Sequence, residues 1–195
     1  MKRIGLTGGI ASGKSLISNF FEENNVIVLD ADKIYKNLLK TNKIMYNEIK
    51  KEFNLDELDL HQLANIVFND EEKLKRLNKI THPYVIRVFT EQLRKLSKTE
   101  KLVVLDIPLL FEAKMEDFCD EIICVYVDEE IQEQRLVERN KLSEEEALNR
   151  IRSQMPLSEK CKLSNYVIDN SQDIEYAYEQ FEQIFQKIKE SIHVI

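Results

Sequence analysis

Gly-Gly-Ile-Ala-Ser-Gly-Lys-Ser, residues 8–15, decides the fold of this chain, because it satisfies the phosphate-loop pattern G-x-x-x-x-G-K-S/T. All four glycines of the 195 residues lie at or before position 13, and three of them belong to this stretch. Glycine allows positive φ angles and lets the backbone approach a ligand closely. The stretch therefore predicts a loop whose backbone surrounds the phosphates of a nucleoside triphosphate.

The segments on either side of the loop agree with this interpretation. Residues 2–7 are mostly apolar and typical of a short strand, and apolar residues recur at helical spacing over 16–21. Between a strand and a helix, the loop N–H groups surround a phosphate, and the helix N-terminus adds roughly half a positive charge. The pattern assigns Lys14 to the β- and γ-phosphates and the Ser15 hydroxyl to Mg²⁺.

Composition and net charge limit the class of protein. A chain with 43% hydrophobic and 32% charged residues is typical of a globular protein with one sizeable core. The sequence has no apolar run of membrane-spanning length, and its first residues are typical of a strand and not of a signal peptide. The net charge of −7 argues against general nucleic-acid binding. Cys119, Cys124 and Cys161 lack metal-site spacing, which predicts free thiols in a reducing cytosol. We therefore expect a cytoplasmic protein, a monomer or weak homo-oligomer, without a membrane or nucleic-acid partner.

Five segments have strand character. Near-continuous apolar runs over 102–106 and 121–128 are typical of parallel strands that are covered on both faces. Shorter runs over 26–29 and 166–169, together with residues 2–7, add three more strands. Helical periodicity separates these segments and continues in a long amphipathic helix near the C-terminus. The alternation predicts an α/β fold with three layers and a five-stranded parallel sheet.

A helical block interrupts the alternation after the second strand. Residues 33–100 carry no glycine and repeat apolar residues every three or four positions, which predicts short amphipathic helices. Pro83 is expected to begin one of them, since proline fits the first turn of a helix. We expect one domain made of a core over about 1–32, 101–135 and 164–195, a helical lobe over about 33–100, and a lid over about 136–163.

Acidic side chains follow the second and third strands. Asp30 and Asp32 close the second strand, and Asp106 closes the third. The carboxyl ends of parallel strands form the sheet edge that binds ligands in such folds. Asp106 could orient Mg²⁺ through water, and the pair Asp30 and Asp32 could orient a nucleophile beside the triphosphate. A strand-end aspartate also often serves as a helix cap or turn residue, and this alternative stays open.

Seven cationic residues crowd the segment after the fourth strand: Arg135, Arg139, Lys141, Arg150, Arg152, Lys160 and Lys162. Arg135 and Arg139 lie four positions apart, on one face of a helix, and Arg152 follows one helix later. Converging arginines suit a lid that closes on transferring phosphates and excludes water. Residues 143–146 form the pattern of a capping box, which starts a helix within this lid. The three lysines of the segment are expected to be solvated.

Several segments together resemble the dephospho-coenzyme A kinase family. The matching pieces occur in the family's order: residues 6–10 with the phosphate loop, Leu-Asp-Ala-Asp at 29–32, Ile-Thr-His-Pro at 80–83, Asp-Ile-Pro-Leu-Leu-Phe-Glu at 106–112, and Val-Ile-Asp-Asn at 167–170. The phosphate loop alone fits many families, whereas this combination is specific and spans nearly the whole chain. Ala11 stands where the family usually has glycine, Leu60 where an arginine is common, and Asn140 where an aspartate is usual.

The resemblance implies a P-loop NTPase fold with a helical acceptor-binding lobe and an arginine-bearing lid. It further implies ATP-dependent phosphorylation of the ribose 3′-hydroxyl of dephospho-CoA, the last step in making coenzyme A, with Mg²⁺ held by Ser15. Asp32 would be the general base, with Lys14 and Arg139 as further catalytic residues. ATP is expected to contact Gly8, Ala11, Ser12, Gly13, Lys14, Ser15, Leu16, Arg135 and Asn170. The acceptor is expected to contact Asp32, His82, Arg87 and Asp106.

Two other functions also fit the phosphate loop. Another small kinase of this fold could act on a nucleoside, a nucleoside monophosphate or a sugar acid, and only the acceptor lobe separates these activities. A GTP-binding switch usually carries Asn-Lys-x-Asp, but the Asn-Lys pairs at 42–43 and 78–79 both lack the aspartate. For His82, simple packing beside Pro83 is the alternative to an acceptor contact.

Overall fold

The computed structural model describes residues 1–68 and 70–193 and contains a five-stranded sheet flanked by helices. The strands are β1 (Lys2–Gly8), β2 (Ile27–Asp30), β3 (Leu102–Asp106), β4 (Glu121–Tyr126) and β5 (Tyr166–Asp169). Their order is β2-β3-β1-β4-β5, and β1 pairs in parallel with β3 and β4, as β4 does with β5. This arrangement confirms the predicted three-layer α/β fold with a five-stranded parallel sheet.

Helices connect the strands and form the block after β2. They are α1 (Lys14–Glu23), α2 (Ala31–Thr41), α3 (Lys43–Phe53), α4 (Leu60–Phe68), α5 (Glu71–Leu96), α6 (Glu129–Asn140), α7 (Glu144–Arg152), α8 (Leu157–Leu163) and α9 (Ile174–His193). The strand predicted over 121–128 ends earlier, because Asp128 is already the N-cap of α6. Within the described ranges, none of these helices combines the length and the apolar composition needed to cross a bilayer. Residues 194 and 195, part of the predicted core, lie outside the described residues.

The first compact unit, residues 1–29 with 99–195, contains the sheet and its core. The inward side chains of β1 are fully buried, and aromatic rings from α1 and α9 pack beside them. Phe21 meets Phe181 edge to face at 4.8 Å between ring centroids, and Phe181 stacks on Phe185 at 5.3 Å. Such rings bury large apolar areas, and each pair adds about 1 kcal/mol beyond that burial. The core therefore fixes β1 and α1, and with them the loop that joins them.

The second compact unit, residues 30–98, contains α2 to α5. Met45, Ile49 and Phe89 are fully buried in it, and the helical periodicity of the sequence matches these helices. Side-chain caps define where helices of this unit begin, among them α3 and α5. Asn42 accepts hydrogen bonds from the first turn of α3, and Asp70 accepts one from that of α5.

Helix α5 runs through Pro83, so the predicted helix start at this proline is wrong. Proline has no N–H to donate to the carbonyl four residues earlier, and in a helix interior it costs about 3 kcal/mol. Apolar side chains buried on both sides of it, Leu77 before and Val85 and Phe89 after, keep the helix continuous. The Thr81 hydroxyl also donates a bond of 3.0 Å to the Leu77 carbonyl. Packing of the two halves therefore outweighs the local preference of the proline.

Candidate active site

Residues 8–15 form a tight loop between β1 and α1. Gly13 is the N-cap of α1 at a φ of 85°, where an L side chain is strained, and a Cβ there would collide with the Asn170 amide. In the described chain no side chain caps α1, so the first N–H groups of the helix lack a side-chain acceptor. Unsatisfied N–H groups at the positive end of a helix dipole are suited to bind an anion. The loop can therefore hold a phosphate.

The Ser12 and Leu16 side chains contribute little to this anion site. Ser12 is 1% exposed, and its hydroxyl is buried inside the loop. Leu16 is half-buried, and its N–H donates 2.9 Å to the Gly13 carbonyl, which closes the first turn of α1. The N–H groups at the start of α1 are therefore the backbone groups suited to an anion.

Three consecutive loop carbonyls accept hydrogen bonds from side chains outside the loop. The bonds run from Gln132 Nε2 to Ile10 (2.6 Å), from Arg135 Nη1 to Ala11 (3.4 Å) and from Asn170 Nδ2 to Ser12 (2.8 Å). Arg135 Nη2 also donates 3.0 Å to the backbone carbonyl of Asn170, so it holds the residue whose side chain bonds to Ser12. The structure thus brings Arg135 and Asn170, both singled out in the sequence, against the loop. Gln132 was missed, because a side-chain bond to a backbone carbonyl leaves no sequence motif.

The Lys14 side chain forms an ion pair with Asp106 at the carboxyl end of β3. Asp106 is 3% exposed, and its other oxygen accepts a bond of 2.5 Å from the Ser18 hydroxyl of α1. A carboxylate buried this far stays charged only with a cation and hydrogen-bond donors around it. Asp106 therefore anchors the Lys14 ammonium beside the helix N-terminus that is open to an anion. The sequence pointed to both residues but not to their pairing.

The oxygen groups near the loop fit a Mg²⁺ ion that arrives with a nucleotide. Ser15 is exposed in the first turn of α1, beside Lys14, and Asp106, whose two oxygens bond Lys14 and Ser18, lies at the end of β3. Mg²⁺ prefers such hard oxygen ligands and usually keeps several waters, with one or two protein groups and substrate phosphates. Among the described residues no three acidic, histidine or cysteine side chains cluster as an all-protein metal site would require.

The three arginines singled out in the cationic segment after the fourth strand differ in their surroundings. Arg135 contacts the loop, as described above. Arg139 is exposed near the end of α6, where its Nε donates 3.0 Å to Asn140 Oδ1. Arg152 is exposed and lines a cavity of about 360 Å³ together with Gly9. Of these three arginines, Arg135 is therefore the one that hydrogen-bonds to the loop in the described part of the chain.

Lys160 is fully buried, so the expectation that it is solvated is wrong. Its Nζ lies 2.8 Å from Glu112 Oε1, 3.0 Å from the Pro108 carbonyl and 3.4 Å from the Gly8 carbonyl. Three acceptors match the three N–H donors of an ammonium group, which makes this burial tolerable. Lys160 thereby joins α8 to the loop and to the segment after β3. The other two lysines of the predicted lid, Lys141 and Lys162, are exposed, as expected.

The predicted base and acceptor residues other than Asp106 belong to the helical unit. Asp30 caps α2 by accepting the Lys33 N–H at 2.9 Å, so the alternative role of helix cap is present at this position. Asp32 is exposed in the first turn of the same helix. His82 is half-buried within α5, and burial lowers the pKa of its imidazole, which is therefore neutral at pH 7. Arg87 lies on the same helix and its side chain is 70% exposed.

Comparison with known proteins adds a second, independent line of observation. A model of the dephospho-CoA kinase family matches residues 2–175. A dephospho-CoA kinase of Carboxydothermus hydrogenoformans is 47% identical over 193 residues, which cover 95% of this chain and 94% of that protein. The structure of dephospho-CoA kinase from Campylobacter jejuni has a TM-score of 0.73 at 30% identity and covers 98% of this chain and 99% of its own. A crystal structure from Thermus thermophilus has a TM-score of 0.81 at 33% identity, with coverage of 95% and 97%. The likeness thus extends over nearly the whole length of each protein.

Proposed function

The chain belongs to the dephospho-CoA kinase family, and from this premise we propose that it transfers the γ-phosphoryl group of ATP to the ribose 3′-hydroxyl of dephospho-CoA. The products are coenzyme A and ADP, so the reaction is the last step of coenzyme A synthesis. One observation carries the proposal: the loop at 8–15 leaves the N-terminus of α1 open to an anion, with Lys14 anchored beside it by Asp106.

In this reaction the ribose 3′ oxygen forms a bond to the γ-phosphorus. The bond between that phosphorus and the β–γ bridging oxygen breaks, and ADP leaves. We assign Asp32 as the general base that takes the hydroxyl proton. A carboxylate is a weak base for a sugar hydroxyl, but the loose transition state of phosphoryl transfer depends mainly on alignment and charge neutralisation. The use of Asp30 as the cap of α2 supports Asp32 over Asp30 in this role.

For ATP, we assign the phosphates to the loop and the adenine to the neighbourhood of Asn170. The loop contacts would come from Gly8, Ala11, Ser12, Gly13, Lys14, Ser15 and Leu16. Lys14 would neutralise the β- and γ-phosphates, and Mg²⁺ held by Ser15 supplies further charge neutralisation there when bound. Arg135 would border the nucleotide from α6. We assign Arg139, one turn further along that helix, to the transferring phosphoryl group.

For dephospho-CoA, we assign the contacts to the helical unit and to the edge of the sheet. Arg87 is exposed and cationic, which suits an acceptor that carries phosphate groups. His82 is neutral at pH 7, so it suits a hydrogen bond better than a charge contact. Asp106 would border the acceptor from the end of β3. We keep the division of the chain that the sequence suggested. The helical lobe over about 33–100 would bind the acceptor, and the lid over about 136–163 would close on the transferring phosphates.

We place the protein in the cytoplasm, as a monomer or weak homo-oligomer that acts on small molecules alone. Three free thiols and a net charge of −7 support this setting. The alternative, a small kinase for a nucleoside, a nucleoside monophosphate or a sugar acid, is not favoured by the family to which the chain belongs.

The proposal is tested by supplying ATP, Mg²⁺ and a panel of acceptors and following new phosphomonoesters by ³¹P NMR. We expect dephospho-CoA to be phosphorylated at its 3′ position, and nucleoside monophosphates and sugar acids to remain unchanged. Lys14→Ala, assayed in parallel, controls for a contaminating kinase, because its activity should fall to background. Phosphorylation of a nucleoside monophosphate but not of dephospho-CoA would contradict the proposal.

A further inference from the structure

Two glutamine side chains hold Ile10, in the middle of the phosphate loop, from two sides. The Ile10 N–H donates 3.0 Å to Gln154 Oε1, and the Ile10 carbonyl accepts 2.6 Å from Gln132 Nε2. Gln132 lies on α6 and is 3% exposed, and Gln154 lies between α7 and α8. A Cβ at Gly9 would collide with the Gln132 amide, so the loop at this point accommodates Gln132 closely. Both peptide groups of Ile10 are therefore fixed from outside the loop.

The bond from Gln132 sets the direction of the next N–H group along the chain. In a trans peptide the C=O and the following N–H point to opposite sides, and the described residues contain no cis peptide. Because the Ile10 carbonyl points toward Gln132, the Ala11 N–H of the same peptide group points away from Gln132. Within the described residues this N–H has no protein acceptor, whereas the Ser12 N–H donates 3.1 Å to the Gly9 carbonyl. The Ala11 N–H is thus a donor available to a ligand of the loop.

The conformation of Ala11 makes this support necessary. Ala11 has a φ of 59°, in the left-handed region that residues with a Cβ adopt reluctantly. A rotated Ile10–Ala11 peptide would present its carbonyl oxygen, and not its N–H, to the phosphate oxygens, and the two would repel each other. We propose that Gln132 is a positioning residue for ATP, which keeps the Ala11 N–H directed at the triphosphate. The identity of the nucleotide rests on the proposed function, whereas the direction of the peptide rests on the loop alone.

Gln154 connects Ile10 to the arginine-bearing segment. It follows α7, two residues after Arg152, and it holds the other peptide of Ile10. Loss of Gln154 alone leaves the Gln132 bond to the Ile10 carbonyl in place. Its removal is therefore expected to weaken ATP binding less than removal of Gln132.

The test is the binding of ATP and of AMP, without acceptor, measured by isothermal titration calorimetry on wild type, Gln132→Met, Gln132→Glu and Gln134→Met. Methionine keeps the volume of Gln132 but donates no hydrogen bond, and glutamate places a carboxylate against the Ile10 carbonyl. Gln134 is the matched control, since it is exposed on the same helix and donates to Glu138. We expect the Kd for ATP to rise about tenfold in Gln132→Met, more in Gln132→Glu, and less than about twofold in Gln134→Met. AMP lacks the β- and γ-phosphates, so its affinity should not change.

A pH series separates positioning from a merely structural role. In the Gln132→Glu variant a protonated carboxyl group regains a donor, so its loss of ATP affinity should shrink between about pH 8 and about pH 5.5. Unchanged ATP affinity in both Gln132 variants, or an equal loss for ATP and AMP, would overturn the proposal. These outcomes do not depend on the acceptor. A failure of wild type to phosphorylate dephospho-CoA would therefore contradict the proposed function and leave this binding result standing.

Discussion

Replacing Lys160 by methionine removes a fully buried ammonium group while keeping most of the side-chain volume. In the wild type its Nζ is shared by the Glu112 carboxylate and the carbonyls of Gly8 and Pro108. After the substitution the Pro108 carbonyl still accepts 3.0 Å from the Thr7 hydroxyl. The Gly8 carbonyl loses this donor, and the Glu112 carboxylate loses its cation.

The size of the effect follows from these lost partners. An unsatisfied buried acceptor costs about 1–3 kcal/mol, and breaking a buried ion pair costs about 3–5 kcal/mol. The Glu112 side chain is 24% exposed, so water replaces part of its lost interaction and lowers the second figure. We expect the free energy of unfolding to fall by about 3 kcal/mol, and the Tm by about 8 °C for a chain of this length.

Urea unfolding at pH 7, followed by circular dichroism, measures this free energy. Lys162→Met is the matched control, since Lys162 is exposed and its ion pair with Glu159 contributes little. Adding Glu112→Gln to Lys160→Met should recover part of the loss, because an amide tolerates the absence of a cation better than a carboxylate. A loss below about 1 kcal/mol in Lys160→Met, or an equal loss in the control, would refute the reasoning.

Three further predictions concern the base, the histidine and the aromatic core. Asp32→Ala should lower kcat by orders of magnitude and leave the Kd for ATP nearly unchanged, because an aligning group acts in the transition state; unchanged kcat would move the base elsewhere. Burial lowers the pKa of His82, so as the pH falls through about 6.5 the unfolded chain binds the proton first and stability is lost. His82→Asn should therefore lose less unfolding free energy than wild type between about pH 7 and about pH 5 in urea titrations, and an equal loss would contradict this. Phe181→Ala should destabilise the sheet unit by about 3–5 kcal/mol in the same assay, since Phe181 is fully buried between Phe21 and Phe185; a loss under about 1 kcal/mol would show that this cluster is not the core.

The features that the sequence predicted well are those encoded by neighbouring residues. The phosphate loop at 8–15 and the strands at 102–106 and 166–169 depend on glycine positions and continuous apolar runs. The capping box is equally local: the Ser143 hydroxyl accepts the Glu146 N–H at 3.2 Å, and the Glu146 carboxylate accepts the Ser143 N–H at 2.9 Å. Such patterns need no knowledge of the rest of the fold.

The features that the sequence missed depend on contacts between distant segments. Lys160 looks like any lysine of an amphipathic segment, and only the position of α8 against Gly8 and Pro108 buries it. Pro83 has the local preference of a helix start, and packing on both sides of it decides otherwise. Gln132 and Gln154 bond to backbone groups more than 120 residues away, which no spacing in the sequence can reveal.

The central claim, that residues 8–15 hold a triphosphate, is tested most directly by calorimetric titration of ATP and AMP into wild type and Lys14→Ala. We expect wild type to bind ATP much more tightly than AMP, because its open helix N-terminus and the Lys14 ammonium meet the β- and γ-phosphates. Lys14→Ala should weaken ATP at least about tenfold and leave AMP unchanged. Equal affinity of wild type for ATP and AMP, together with undiminished ATP binding in Lys14→Ala, would contradict the claim.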